Sequence, residues 1–162
     1  KIKNLEPDFS VISSKKAIEE AIDAVANQAY SKNIKILFNS DEDYEINVDK
    51  KMFSSVIRNL LTNSIKFSSR DSNIVVEHKI HEKNSNKYYQ LSVKDFGKGM
   101  DQDLINDILN SNQVSSQYGT EGEKGTGLGL QLCNNFVNLH NGNMTIKSEL
   151  NKGTEILIDL PI

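Results

Sequence analysis

Gly125-Thr126-Gly127-Leu128-Gly129-Leu130 places three alternating glycines at the start of a helical apolar pattern made by Leu130, Leu132, Cys133, Phe136, Val137 and His140. Glycine lets a ligand approach the backbone closely. A helix N-terminus offers free N–H groups and the positive end of a dipole. The stretch therefore reads as a phosphate-holding hinge leading into a helix. Two other phosphate motifs fail on spacing. A dinucleotide fingerprint requires glycine where Leu130 stands and a strand directly before it. A P-loop requires Gly-Lys-Ser/Thr four residues after a glycine, and the chain holds no such string.

Two stretches further upstream bear on the same reading. Asp49 caps a helix predicted over about residues 50–68, whose core face is Phe53, Val56, Ile57, Leu60 and Leu61. At about 100° per residue, Asn59, Asn63 and Lys66 fall within about 60° of one another, with Phe67 beside them. Asn is a mediocre helix former, so two of them four apart along the edge of a buried face suggest a site. Next come strands at about residues 74–81 and 88–94 around a turn at 82–86. The second runs into Asp95-Phe96-Gly97-Lys98-Gly99-Met100. Asp95 thus stands at a strand end, and Gly97 and Gly99 permit close backbone approach.

The remaining elements follow from the same patterning. Residues 9–12 are extended, and Ser13 or Ser14 caps a helix over about 15–31 with Ile18, Ala21, Ile22, Val25 and Ala29 inward. Asn33 ends it. Residues 34–38 read as a strand, and 44–48 as its hairpin partner across an acidic turn. A short helix is predicted at 101–110, then a long polar loop at 111–124. The helix after the glycine stretch runs to about Asn141. Strands at 143–149 and 154–160 close the chain, turned at Asn151-Lys152-Gly153.

The chain of 162 residues is one domain by the usual size prior. Its 19 basic and 22 acidic residues give a net charge of −3, which argues against a general nucleic-acid or membrane-surface binder. The single cysteine, Cys133, excludes an internal disulfide and reads as a buried thiol. No apolar run approaches the ~20 residues of a membrane span. The chain begins at Lys1 without Met and reads as a piece of something longer, with features that suit the cytosol.

Three motifs now stand in order: Asn59-Leu60-Leu61-Thr62-Asn63-Ser64-Ile65-Lys66-Phe67-Ser68, Asp95-Phe96-Gly97-Lys98-Gly99, and Gly125 to Leu130. Together they strongly resemble the N box and two glycine boxes of the ATP-binding catalytic domain of sensor histidine kinases. That domain belongs to the wider superfamily of gyrase, heat-shock chaperone, histidine kinase and mismatch-repair ATPases. The resemblance covers about residues 9–162. It implies an α+β fold: a two-layer α/β sandwich in which a mixed, mostly antiparallel sheet is backed by three helices, with an ATP lid. The whole chain, 1–162, would be one catalytic domain, with 1–8 a linker from a dimerisation domain and 101–128 the lid.

The resemblance also implies roles. Asp95 would accept from the adenine amino group, a fitting task for an acceptor-only carboxylate. Gly97 and Gly99 would let base and ribose pack close to backbone. Asn63 would coordinate Mg²⁺ with Asn59 nearby, Lys66 would offset phosphate charge, and Phe67 would lie against the adenine. Asn59, Asn63 and Lys66 form the catalytic set. Gly125, Gly127 and Gly129, with Thr126 and Leu128, would hold the phosphates, and Thr154 would stand near the adenine. ATP and Mg²⁺ are the implied cofactors. One departure stands out: the phenylalanine-rich lid motif is replaced by Ile105-Asn106-Asp107-Ile108-Leu109-Asn110.

The expected activity is transfer of the γ-phosphate of Mg-ATP to a histidine on a separate dimerisation domain. The expected further partner is a response regulator receiver domain, and no nucleic acid is expected. The isolated domain is expected to be a monomer, its parent a homodimer and a membrane-anchored sensor with this domain in the cytoplasm. None of His78, His81 and His140 reads as the phosphoacceptor. The alternatives are a related ATPase, an anti-sigma serine kinase, or a non-catalytic nucleotide-binding signalling module. The first two carry an acidic residue at the position of Asn59, and an asparagine cannot take a proton from water.

Overall fold

The computed structural model describes residues 6–110 and 129–162. Its elements are β1 (Phe9–Ser13), α1 (Ser14–Ser31), β2 (Lys35–Leu37), β3 (Glu45–Asp49), α2 (Lys50–Phe67), β4 (Asn73–Lys83), β5 (Asn86–Asp95), α3 (Gln102–Asn110), α4 (Gly129–Leu139), β6 (Asn143–Glu149) and β7 (Gly153–Pro161). A five-stranded sheet has the order β2-β4-β5-β7-β6, and β1 pairs separately with β3. Only the β2–β4 pair of the large sheet is parallel. The expected α+β sandwich with a mixed, mostly antiparallel sheet is therefore the fold observed.

The long helices are bounded by local chemistry. Ser13 caps α1 by accepting from the Lys16 N–H at 3.1 Å, and Asp49 caps α2 by accepting from the Met52 N–H at 3.0 Å. Each cap satisfies a donor that the first turn leaves without an intrahelical partner. At the other end of α1, Asn33 adopts φ 51° and the Ile34 N–H reaches back to the Ala29 carbonyl at 2.9 Å. Asn141 (φ 56°) and the Gly142 N–H on the Val137 carbonyl, 2.7 Å, close α4 in the same way. Both are the left-handed exit that a short polar residue tolerates. Helix α4 thus stops at Leu139, two residues before the expected end.

Helix α2 is the centre of the helical layer and packs against both α1 and α4. Its Phe53, Ile57, Leu60 and Leu61 are fully buried and face Ile74, Val76, Leu91, Val93 and Ile158 of the sheet. Each such side chain contributes about 1.5–3 kcal/mol relative to exposure.

Two expectations are corrected. Residues 34–38 and 44–48 are not a hairpin: β2 pairs in parallel with β4, and β3 pairs with β1. The acidic segment between them is drawn instead to the start of α1. There the Asp43 carboxylate accepts from the Ser13 hydroxyl at 2.7 Å and the Lys15 N–H at 3.1 Å, and the Tyr44 carbonyl accepts from the Ser14 N–H at 2.9 Å. These bonds carry β3 away from β2 and lay it along β1. The β4–β5 turn is also tighter than expected. Only Asn84 and Ser85 lie outside the ladder, both at positive φ (51° and 64°), which is the primed two-residue turn matching strand twist.

Candidate nucleotide site

Asp95 ends β5, flanked by Ile74 of β4 and Thr154 of β7. Its side chain is only 6% exposed. Oδ1 accepts from the Gly97 N–H at 2.9 Å and the Thr154 N–H at 3.3 Å, and the Ser64 hydroxyl of α2 also bonds the carboxylate. Burial holds its pKa above the ordinary carboxylate value, and these three hydrogen bonds oppose the rise. A carboxylate acceptor is thereby fixed in a dry setting at the junction of sheet and α2.

The segment after Asp95 is clamped by the protein's own backbone. The Lys98 N–H donates to the Phe67 carbonyl at 3.1 Å, and the Asn151 N–H donates to the Lys98 carbonyl at 2.7 Å. A Cβ on Gly97 would overlap the Phe67 carbonyl oxygen. Gly99 (φ 70°) lies as close to the Glu149 carbonyl. The close approach that these two glycines allow is thus to the end of α2 and to the β6–β7 turn. The clamp continues through Ser148, whose Oγ accepts from the Met100 N–H at 2.8 Å, donates to the Gly153 carbonyl at 2.9 Å and bonds the Thr154 hydroxyl at 2.8 Å.

Along α2, the half-buried Asn59, Asn63, Lys66 and Phe67 form the expected stripe. The Phe67 ring has the Lys66 ammonium 5.3 Å and the Lys98 ammonium 4.9 Å from its centroid, within cation–π range. At the other end of the stripe, Gly129 opens α4 beside the two asparagines. A Cβ there would stand 3.1 Å from Asn63 Nδ2 and 3.8 Å from Asn59 Cγ. The N-terminus of α4 and the polar stripe of α2 therefore meet. Gly125, Thr126, Gly127 and Leu128 lie outside the described residues, as do 111–128 of the expected lid and residues 1–5 of the expected linker.

Sequence reasoning missed Ser64, Ser148 and the ammonium of Lys98. Ser64 was visible as a small polar residue on the apolar face of α2, next to Asn63. Lys98 was visible as the residue between the two glycines. Ser148 carried no local signal, because its bonds join two segments, Met100 and the start of β7, and the first lies 48 residues away.

Among the described residues, no group of three or more His, Cys, Asp and Glu side chains could hold a metal ion. The donors left at the stripe are the neutral amide oxygens of Asn59 and Asn63. That set fits Mg²⁺, which takes few protein ligands and completes its shell with water and phosphate oxygens. The three histidines are engaged elsewhere. Buried His78 bonds Tyr89 and Ser14 through Nδ1, both at 3.2 Å, and the Glu42 carbonyl through Nε2 at 3.0 Å; burial lowers its pKa. His140 donates from Nδ1 to the Phe136 carbonyl at 2.8 Å and accepts at Nε2 from the Asp49 N–H at 3.1 Å. His81 of β4 lies 2.6 Å from Asp159 of β7. Cys133 is buried, its thiol pushed up to about 12, and it donates to the Val56 carbonyl at 3.8 Å. A cavity of about 640 Å³ elsewhere on the sheet, lined by Glu77, Lys79, Glu155 and Leu157 among others, includes none of the site residues expected from the sequence.

Residues 48–162 match the model of the family described as Histidine kinase-, DNA gyrase B-, and HSP90-like ATPase. The chain is 33% identical over 141 residues to the sensor histidine kinase YvrG of Bacillus subtilis, covering 86% of this chain and 23% of that protein. It is 30% identical over 145 residues to the non-motile and phage-resistance protein of Caulobacter vibrioides, covering 89% of this chain and 17% of that one. The chain therefore spans less than a quarter of either relative's length. The nucleotide-free catalytic domain of histidine kinase ThkA shares the fold, with a TM-score of 0.75, 20% identity and 95% of each chain covered. So does full-length ShkA in complex with AMPPNP, with a TM-score of 0.75, 19% identity, and 97% of this chain and 32% of that one covered.

Proposed function

Because the chain belongs to the Histidine kinase-, DNA gyrase B-, and HSP90-like ATPase family, we propose that it binds Mg-ATP and supplies the γ-phosphate to a histidine on a separate, dimerising domain of the same parent protein. The observation that carries the adenine assignment is Asp95. Its carboxylate is an acceptor-only group, buried and pinned by the Gly97 and Thr154 N–H groups. Such a group accepts from an exocyclic amine and rejects a guanine carbonyl.

Phe67 would cover the base, with Lys66 offsetting phosphate charge. The N-terminus of α4, opened by Gly129, would offer N–H groups to the phosphates, with Gly125, Thr126, Gly127 and Leu128 continuing that cradle. Asn63, with Asn59 nearby, would hold Mg²⁺, which neutralises phosphate charge when bound. Phosphoryl transfer depends mostly on positioning and charge neutralisation. The acceptor imidazole nitrogen attacks the γ-phosphorus as the bond to the β,γ-bridging oxygen breaks, and ADP leaves. Asn59 cannot serve as a base for water, which favours transfer over hydrolysis. A receiver domain would then take the phosphate from the histidine. The parent would be a homodimeric, membrane-anchored sensor; no described helix of this chain is long and apolar enough to cross a membrane.

Calorimetry with Mg-ATP and Mg-GTP tests the binding step. Saturable ATP binding at a single site is expected, with GTP weaker by about 5- to 150-fold, the usual scale of a lost polar pairing (about 1–3 kcal/mol). Equal affinity for the two nucleotides would overturn the role given to Asp95.

A further inference from the structure

Lys32, at the C-terminal boundary of α1, is buried to 6% exposure. Its ammonium reaches across to α2 and donates to the carbonyls of Ile65 at 3.0 Å and Lys66 at 3.1 Å. A buried ammonium is costly unless its N–H groups meet acceptors. Here the acceptors belong to the last turn of a helix, where carbonyls lack intrahelical partners and the dipole is negative. The neighbouring Phe67 carbonyl accepts from the Lys98 N–H. Lys32 holds its place through the exit of α1, where the Asn33 N–H donates to the Tyr30 carbonyl at 2.9 Å and the Asp71 N–H to the Lys32 carbonyl at 3.0 Å.

We propose that Lys32 is a positioning residue for nucleotide binding, holding the last turn of α2 so that Lys66 and Phe67 face the nucleotide in a preformed arrangement. The inference rests on the nucleotide reading of the site. The two residues concerned stand on the turn whose carbonyls Lys32 engages. A turn fixed before binding loses less side-chain and backbone freedom when ATP arrives, so the effect falls on affinity. Asp95, anchored by the sheet and Gly97, does not depend on this contact.

The test compares the wild type with Lys32→Met, which keeps the stem and removes the ammonium, and with Lys32→Arg, which restores charge and donors. Ile18→Val, on the buried face of α1 about four turns before Lys32, is the control that lowers stability without disturbing the exit of α1. ATP dissociation constants are measured by calorimetry and nucleotide-free stability by thermal melting. Lys32→Met is expected to weaken ATP roughly tenfold and leave the ATP-to-GTP ratio unchanged. Lys32→Arg recovers part of the loss, and Ile18→Val lowers the melting midpoint with ATP affinity intact. Lys32→Met combined with Phe67→Ala should lose less than the sum of the two single losses, because Phe67 is one of the two residues through which Lys32 acts. If Lys32→Met does not fold, Lys32→Gln, which keeps one amide donor, carries the same comparison. Wild-type ATP affinity in the folded variant, or full additivity with Phe67→Ala, overturns the proposal. A wild-type protein that binds no ATP overturns the nucleotide reading itself, a separate outcome read before any variant is made.

Discussion

The carboxyl group of Asp95 lies beneath the end of α2, held by two backbone N–H groups and the Ser64 hydroxyl, yet burial still lifts its pKa above 3.8. A raised folded-state pKa means that the native protein binds this proton more tightly than the unfolded chain. Asp95 therefore opposes folding at neutral pH, and the opposition is relieved as pH falls through the folded-state value. Asp95→Asn removes that penalty and presents an amide whose donor can turn toward the base. The expected outcome is a loss of about 1–3 kcal/mol in ATP binding, with a nucleotide-free melting midpoint equal to or above wild type at neutral pH. Any stability advantage should shrink as the buffer is acidified. Calorimetry and melts across pH check both halves; a variant that binds ATP normally would remove Asp95 from the site.

The C-terminal turn of α2 receives bonds from the Lys32 ammonium and the Lys98 N–H, and the Gly97 backbone packs closely against it. Gly97 is the strictest of these, because a methyl group there overlaps a backbone oxygen that cannot move away as a flexible side chain could. Gly97→Ala should cost about 1–3 kcal/mol, the usual scale of overpacking, read from urea unfolding midpoints. It should also weaken ATP binding, since relief of the overlap requires the Asp95–Lys98 segment or the Phe67 turn to shift. Unchanged stability would mean that the Gly97 backbone is not confined as described. Helix α3 is joined to α4 by the Asn134 amide, which donates to the Leu109 carbonyl at 3.2 Å, and by the apolar face of Ile105 and Ile108.

At the scale of the molecule, the candidate nucleotide site stands on one sheet end and two helices, and none of the chain's three histidines is offered to it. His78 and His140 are buried in hydrogen-bond networks, and His81 is held against Asp159. Incubation with γ-labelled ATP should therefore leave this chain unlabelled. Supplying a histidine-bearing dimerisation domain of the same parent should put label on that domain. Label on His78, His81 or His140 would refute the assignment. Rapid release of labelled phosphate from the chain alone would favour a hydrolase and contradict the role given to Asn59.

The sequence by itself determined what depends on periodicity and on neighbours along the chain. It showed a cap at Ser13 or Ser14 and another at Asp49, the end of α1 at Asn33, the stripe of Asn59, Asn63 and Lys66 on α2, and the placement of Asp95 at a strand end. These are legible because a 3.6-residue or two-residue repeat and a capping side chain act over a few residues. Tertiary structure alone decided which strands pair. The β2 and β3 patterns fit a hairpin equally well until Asp43 and Tyr44 bond the start of α1 and send β3 to β1. It also decided what Gly97 and Gly99 approach, what Ser148 joins, and where the Lys32 ammonium goes. Each of those contacts closes between segments far apart in sequence, and a hydrogen-bond donor carries no local mark of which distant carbonyl it will meet.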